Sequence, residues 1–239
     1  MIPAMSETTN QYGQPIGPAL PDWTARRRPP RIALEGRYCR LEPLDPARHA
    51  AELFAANGEA PDDRLWTYLP HDPFPSLDSY REWQERMAVS EDPLFFALRD
   101  LAGGTALGLA AYLRIDPVMG SIEVGHLNFS PRLQKTRAAT EAQFLLADNA
   151  FSTLGYRRYE WKCNALNQPS RRAADRLGFT FEGIFRQHMV VKGKNRDTAW
   201  FAMMDHEWPS RKAAFETWLA PENFALDGSQ LRSLKELRG

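Results

Sequence analysis

Cysteine is scarce, neither sign of charge dominates and long apolar runs are missing, and each shortage removes a class of protein. Two cysteines, Cys39 and Cys163, in 239 residues make no disulfide framework, so free thiols in a reducing compartment are expected. Lys and Arg number 30 and Asp and Glu number 30, a formal net charge of zero. That balance points to neither nucleic acid nor a charged membrane surface as partner. No apolar stretch approaches the roughly 20 residues needed to span a bilayer. The start of the chain carries Glu7 and has no basic segment followed by an apolar one, so no export signal is expected and the cytoplasm is the expected location. Also missing are a GxxxxGK[ST] phosphate loop, an HExxH motif and cysteines at metal-ligand spacing. The five histidines, His49, His71, His126, His188 and His206, are scattered, and no metal is expected.

What is present is organised around Ser121–Gly155, SIEVGHLNFSPRLQKTRAATEAQFLLADNAFSTLG. Ile122, Val124 and Leu127 give its first part strand character, and Pro131 closes the strand. From about Gln134 the period changes: Ala138, Ala142, Leu145, Leu146, Ala150 and Leu154 recur three or four residues apart, an amphipathic helix packing on a sheet. The turn between them carries Arg132, Lys135 and Arg137, and the free amides of the first helical turn point out of it, which makes an anion site.

Around this core three segments are expected. Residues 1–30, rich in Pro, Gly, Thr and Gln and ending in RRRPP, read as an extended arm in which Arg26, Arg27 and Arg28 are a solvated patch or touch the body. Residues 31–219 read as a single domain, and 220–239 as a polar surface tail with one helical segment. Within the domain, strands are expected at Arg37–Leu44, Pro93–Arg99, Ala106–Ile115, Ile122–Phe129, Arg157–Cys163, Phe179–Val191 and Arg196–His206. Helices are expected from Pro46, from a Ser76 cap to about Met87, from about Gln134, at Asn167–Leu177 with Gly178 as C-cap, and at Pro209–Leu219. The class is α+β, a mostly antiparallel mixed sheet flanked by helices, with a parallel pair at the one crossover.

The order of elements, with FSPRLQKTRAATEAQFLL, NALNQPSRRAADRLGF and FEGIFRQHMV, resembles the GCN5-related N-acetyltransferase (GNAT) fold over about residues 35–208. Within it the chain is most similar to the branch of the ribosomal-protein N-terminal alanine acetyltransferases. The resemblance implies an acyl-CoA N-acyltransferase using acetyl-CoA, with the parallel strands splayed at the cofactor. It implies a pyrophosphate loop of the pattern Gln or Arg, two residues, Gly, one residue, Gly or Ala. Gln134, Arg137 and Ala139 match it, with Lys135, Thr136 and Ala138 between them and Arg137 where Gly is usual. It also implies an oxyanion-binding amide within Leu127–Phe129, with Phe129 lining the cofactor. Asn167 and Ser170 match an Asn-x-x-Ser element that holds the pantetheine arm and lies near the sulfur, although Asn167 also fits a helix cap with Pro169 in the first turn. The Tyr that often serves as the acid has no counterpart after Asn167, leaving Ser170 or water.

Acyl transfer from a thioester to an amine needs a neutral amine held close, an oxyanion donor and a proton source for the thiolate. Glu123 and His126 on the central strand are the candidate bases; a regular strand puts them on opposite faces and a bulge alters this. Arg186 and His188 border the acceptor side. Cys163 has no basic partner in sequence and reads as a core residue rather than a nucleophile. Trp66, Tyr68 and Phe74 in the Pro- and Asp-rich loop either wall an acceptor groove or simply pack, and Asp62 and Asp63 there can attract a cationic amine. A protein N-terminus, a polyamine, an aminoglycoside or an amino-acid derivative all fit as acceptor. Three alternatives stay open: a non-catalytic acyl-CoA-binding module, a protein-interaction module forming a homodimer through arm and tail, and a longer donor such as succinyl-CoA.

Overall fold

The computed structural model describes residues 8–239. Of the arm, residues 1–7 lie outside the described residues; the next stretch forms a small surface hairpin, β1 (Thr8–Thr9) and β2 (Pro15–Ile16). The chain then runs along the body. The Trp23 indole donates to the Val118 carbonyl at 2.9 Å, the Arg26 amide to Pro117 at 2.9 Å, and the Tyr156 hydroxyl to the Arg27 carbonyl at 3.1 Å. Arg26–Arg28 therefore touch the body.

The body is one eight-stranded sheet. Its strands are β3 (Leu34–Glu35), β4 (Cys39–Pro43), β5 (Leu94–Asp100), β6 (Thr105–Asp116), β7 (Ser121–Phe129), β8 (Arg158–Asn164), β9 (Thr180–Val191) and β10 (Lys194–Met204). Their spatial order is β3-β4-β5-β6-β7-β8-β10-β9, antiparallel throughout except for β7 and β8. This is the expected α+β sheet.

Helices cover both faces because the central strands are apolar on both, Leu94–Leu98 and Ala106–Tyr112 being buried without a break. On one face α1 (Pro46–Gly58) and α2 (Leu77–Ala88) pack with Phe95, Ala97, Leu109 and Ala111. On the other, α3 (Arg137–Asp148), α4 (Gln168–Leu177) and α5 (Trp208–Leu219) cover Phe96, Tyr112, Ile122, Val124, Tyr159 and Trp161. Burying each such large side chain contributes about 1.5–3 kcal/mol. The four-residue spacing of Ala138, Ala142 and Leu146 puts all three into that core, and Thr136 caps the helix by accepting the Ala139 amide at 3.1 Å. The Ser76 and Gly178 caps are where the sequence places them.

Two features were not legible in the sequence. Residues 220–239 are docked rather than loose: α6 (Leu234–Arg238) buries Leu234 completely, and the Asn223 side chain bonds the carbonyls of Trp218 and Arg232 and the Arg232 amide. The second is Glu141 on α3, which is buried and accepts the amides of Arg37, Tyr38 and Cys39 at 2.8, 2.6 and 2.8 Å. Gly36 is obligatory beside it, because a Cβ there would fall on the Glu141 carboxylate. Both cysteines are free and buried. Among the described residues no helix is long and apolar enough to cross a membrane, and no cluster of side chains suits a metal.

Candidate active site

The site is set by where β7 and β8 part. They pair in parallel from Ser121/Arg158 to Val124/Trp161, then separate, β7 staying with β6 and β8 with β10. At the parting, β7 carries one residue more than β6: Gly125 faces Ala111 and Asn128 faces Leu109, and His126 within this bulge has φ +50°. A bulge bends its strand and re-aims side chains.

The bulge cancels the alternation that separated the two candidate bases. Ile122 and Val124 belong to the α3–α5 core, so Glu123 points to the α1–α2 face; the His126 ring lies 5.0 Å from that of Phe95, which is on the same face. Glu123 is 3% exposed, and its Oε2 accepts from Arg114 at 2.8 Å and Lys162 at 2.9 Å. The buried Lys162 ammonium also meets Glu160 at 2.5 Å and sits 3.9 Å from the centre of the Trp200 ring. Burial raises the Glu123 pKa, with the two cations opposing it in part. His126 is pushed down to about 4 by burial, and the charges of His71, Arg114 and Arg196 act in the same direction, so it is neutral near pH 7.

Several residues at the parting carried no sequence motif. Asn128 is buried with neither amide atom partnered, and with His126, His71, Trp66 and Leu109 it lines a mostly apolar recess. Arg114, at φ +46° with its backbone N–H donating to the Asp92 carboxylate at 2.8 Å, Lys162 and Arg196 are the others. The available signal was alternation: Lys162 falls between Trp161 and Cys163, which face the core, so its ammonium had to lie on the opposite face. His188 bonds the Thr198 hydroxyl at 2.9 Å and stands beside Trp200, whereas Arg186 is exposed and points to no part of this group.

The loop between α1 and α2 roofs the parting. Its buried Trp66 packs edge-on against Phe74, and the Tyr68 hydroxyl donates to the Leu166 carbonyl at 3.3 Å. From the β9–β10 turn, Lys192 donates to the Trp66 carbonyl at 2.7 Å and pairs with Asp72 at 3.0 Å. Asp62, which could attract an amine or be ordinary surface charge, is bound by Arg64 at 2.7 Å.

On the opposite face, the strand-to-helix turn leads into α3. Gln134 donates to the Phe129 carbonyl at 2.8 Å and closes the turn; Lys135 is exposed at φ +63°. Thr136 takes the Ala139 amide, which leaves the amides of Arg137 and Ala138 at the helix start free for an anion. The Arg137 guanidinium lies over the rings of Tyr38 at 4.9 Å and Phe224 at 4.6 Å. It thus turns away from the helix end and does not obstruct the approach that Gly provides at this position in the pattern. Ala138 and Ala139 are buried beneath.

Next to α3, with Arg176 bonded to Thr140 at 3.2 Å, α4 starts at the same parting. Asn167 caps it through Oδ1 to the Ser170 amide at 3.1 Å, so the cap reading holds and Nδ2 stays available. The Ser170 hydroxyl accepts the indole N–H of Trp161 at 3.0 Å, and Trp161 is the last β8 residue paired with β7. Cys163 is 6% exposed, and burial raises its thiol pKa, as befits a core residue and not a nucleophile.

The splayed parallel pair, with the open helix end of α3 beside it, is the part of the arrangement that the resemblance implied. The sequence model of the acetyltransferase (GNAT) domain matches residues 39–180. The chain belongs to the GNAT acetyltransferase family. Among solved GNAT structures, a GCN5-related N-acetyltransferase from Brucella melitensis is 51% identical, with a TM-score of 0.90 over 92% of this chain and 99% of that one. A protein described as a GNAT-family acetyltransferase from Chromobacterium violaceum is 43% identical, with a TM-score of 0.76 over 82% of this chain and 98% of that one. The Bacillus subtilis protein YdaF, a proposed ribosomal N-acetyltransferase, is 28% identical over 179 residues, 72% of this chain and 92% of its own.

Proposed function

We propose that this GNAT protein transfers an acetyl group from acetyl-CoA to a primary amine, a protein N-terminus or a small-molecule amine, by direct attack in a ternary complex. The observation that carries the reading is the parting of β7 and β8 after Val124 and Trp161, flanked by the open end of α3. The residues present fit the donor. The free amides of Arg137 and Ala138, with the charge of Lys135, suit a pyrophosphate, and the displaced Arg137 side chain leaves that backbone clear. Asn167 Nδ2 holds the pantetheine amide, Ser170 stands on the sulfur side, and an amide within Leu127–Phe129 receives the oxyanion.

In this reading the amine nitrogen forms the C–N bond as the C–S bond breaks. Its proton passes through water to Glu123, and the departing thiolate takes one from Ser170 or water. Glu123 suits the base role better than His126, because burial raises the Glu123 pKa and so favours proton uptake, whereas burial pushes His126 down to about 4. His126 positions the relay. The likeness to YdaF favours a protein N-terminus among the acceptors.

Calorimetric titration with acetyl-CoA and CoA tests the donor site on wild type, Lys135→Glu and Asn167→Asp, the last keeping the cap oxygen while losing Nδ2. Micromolar binding weakened about tenfold or more in each variant is expected. CoA release with a panel of amines and peptides tests transfer. Binding without release leaves a non-catalytic acyl-CoA module, and no binding removes the reading altogether.

A further inference from the structure

The cations around the parting on the roofed side of the sheet are, with one exception, paired with carboxylates. Arg114 and Lys162 share Glu123, Lys162 also holds Glu160, and Lys192 pairs with Asp72. Arg196 has none among the described residues. Its side chain is half-buried and its Nε is enclosed without a partner; of the two acidic groups whose charge reaches it, the Cys163 thiol is buried with its pKa raised, and Glu123 is already taken by Arg114 and Lys162.

Its direction follows from the strand. Trp200 stacks on Lys162 and Thr198 bonds His188, both on the roofed face, and Arg196 continues that two-residue step. The irregularity nearby lies in β9, where Phe185 to Met189 face only Thr198 to Arg196, so the alternation of β10 is intact. Arg196 also depresses the pKa values of His126 and His188 through its charge, which is consistent with a guanidinium facing the same space.

A partly buried guanidinium without a counter-ion is unfavourable, and its planar fork matches a carboxylate in two-point contact. Glu123 is taken by Arg114 and Lys162, and Glu160 by Lys162 and Arg158, so neither carboxylate is left over for Arg196. We propose that Arg196 is a specificity residue that binds a carboxylate of the substrate, so that the site takes a carboxylate-bearing partner in acyl transfer. This rests on the N-acyltransferase reading. The carboxylate comes either from an acceptor that is an amino acid or a similar amino carboxylate, or from the acyl group of a dicarboxylic acyl-CoA.

The test uses the full chain and two matched pairs: phenylalanine against 2-phenylethylamine with acetyl-CoA, and succinyl-CoA against butyryl-CoA with a common amine. Each is run on wild type, Arg196→Gln and Arg196→Lys. The expected result is a preference in kcat/KM of about tenfold or more for the carboxylate member of one pair. Arg196→Gln erases it by lowering only the charged member, while Arg196→Lys keeps part of it. The pair that responds identifies the source of the carboxylate. No preference in either pair, or an equal loss for charged and neutral members in Arg196→Gln, overturns the proposal. Thermal shifts with all four compounds separate this from the transferase reading. If no CoA is released from any donor, that reading fails, and stabilisation by one carboxylate ligand that vanishes in Arg196→Gln still supports the assignment. Equal shifts in both proteins then overturn it.

Discussion

Two buried carboxylates lie on opposite faces of one sheet, and the way each is held separates scaffold from site. Glu141, on α3, accepts three backbone amides and ties the helix to the start of β4. Its neighbourhood is built tightly enough that Gly36 admits no side chain. Glu123, on β7, is held by two side-chain cations beside a strand bulge, a half-buried arginine without an anion and an asparagine whose amide bonds nothing. A carboxylate fixed by backbone amides serves the fold, whereas one held by side chains beside a strand bulge can still meet a partner.

The largest expected effect strikes the scaffold. Glu141→Ala leaves three amide donors unpaired, that of Cys39 buried and those of Arg37 and Tyr38 part-buried, and is expected to lower stability by about 2–4 kcal/mol in urea unfolding. A loss below about 1 kcal/mol means that water replaces the carboxylate and that the contrast with Glu123 is misplaced.

His126 gives a pH-dependent effect on the other side. Its folded pKa of about 4 lies below the ordinary value of 6.5, so the neutral form is favoured by folding. Its contribution is complete above about pH 6.5 and is lost as pH falls toward 4, to a limit of about 3 kcal/mol. His126→Asn, which tolerates the positive φ, should flatten the stability curve across that window. An unchanged slope between wild type and variant places the titrating group elsewhere.

Glu123→Gln keeps shape and removes the base. With acetyl-CoA and a competent amine, kcat is expected to fall about 100-fold with little change in KM, while the melting temperature drops because Arg114 and the buried Lys162 lose a counter-charge. Full activity in that variant makes Glu123 a second structural carboxylate and erases the comparison.

Asn128→Leu has the smallest expected effect and sharpens the contrast most. Replacing a buried, unpartnered amide by an apolar group of similar size should leave stability unchanged or raise it by about 1 kcal/mol, while turnover falls. Lower stability together with full turnover assigns Asn128 to the scaffold.

Much of the fold was legible before any coordinates, and for local reasons. The four-residue spacing of Ala138, Ala142 and Leu146, the Asn167 cap and the Gly103–Gly104 turn are properties of neighbouring residues and were legible, although the helix expected from about Gln134 starts at Arg137, where Thr136 caps it. Of the candidate site, the strand-to-helix turn and the placement of Glu123 and His126 on β7 were legible for the same reason. The docking of 220–239 was not, because its polar sequence hides the few residues that hold it, Leu234 and Asn223.

By itself, then, the sequence determined the type and order of the elements and the crossover that makes β7 and β8 neighbours, since hydrophobic period, capping and turn chemistry act within a few residues. Only the tertiary structure decided that a bulge turns His126 to the side of Glu123, that Arg137 swings onto Tyr38 and Phe224, and that Arg196 is left without an anion. Each of these depends on which charges and rings distant parts of the chain bring together, and no local pattern of residues encodes that distance.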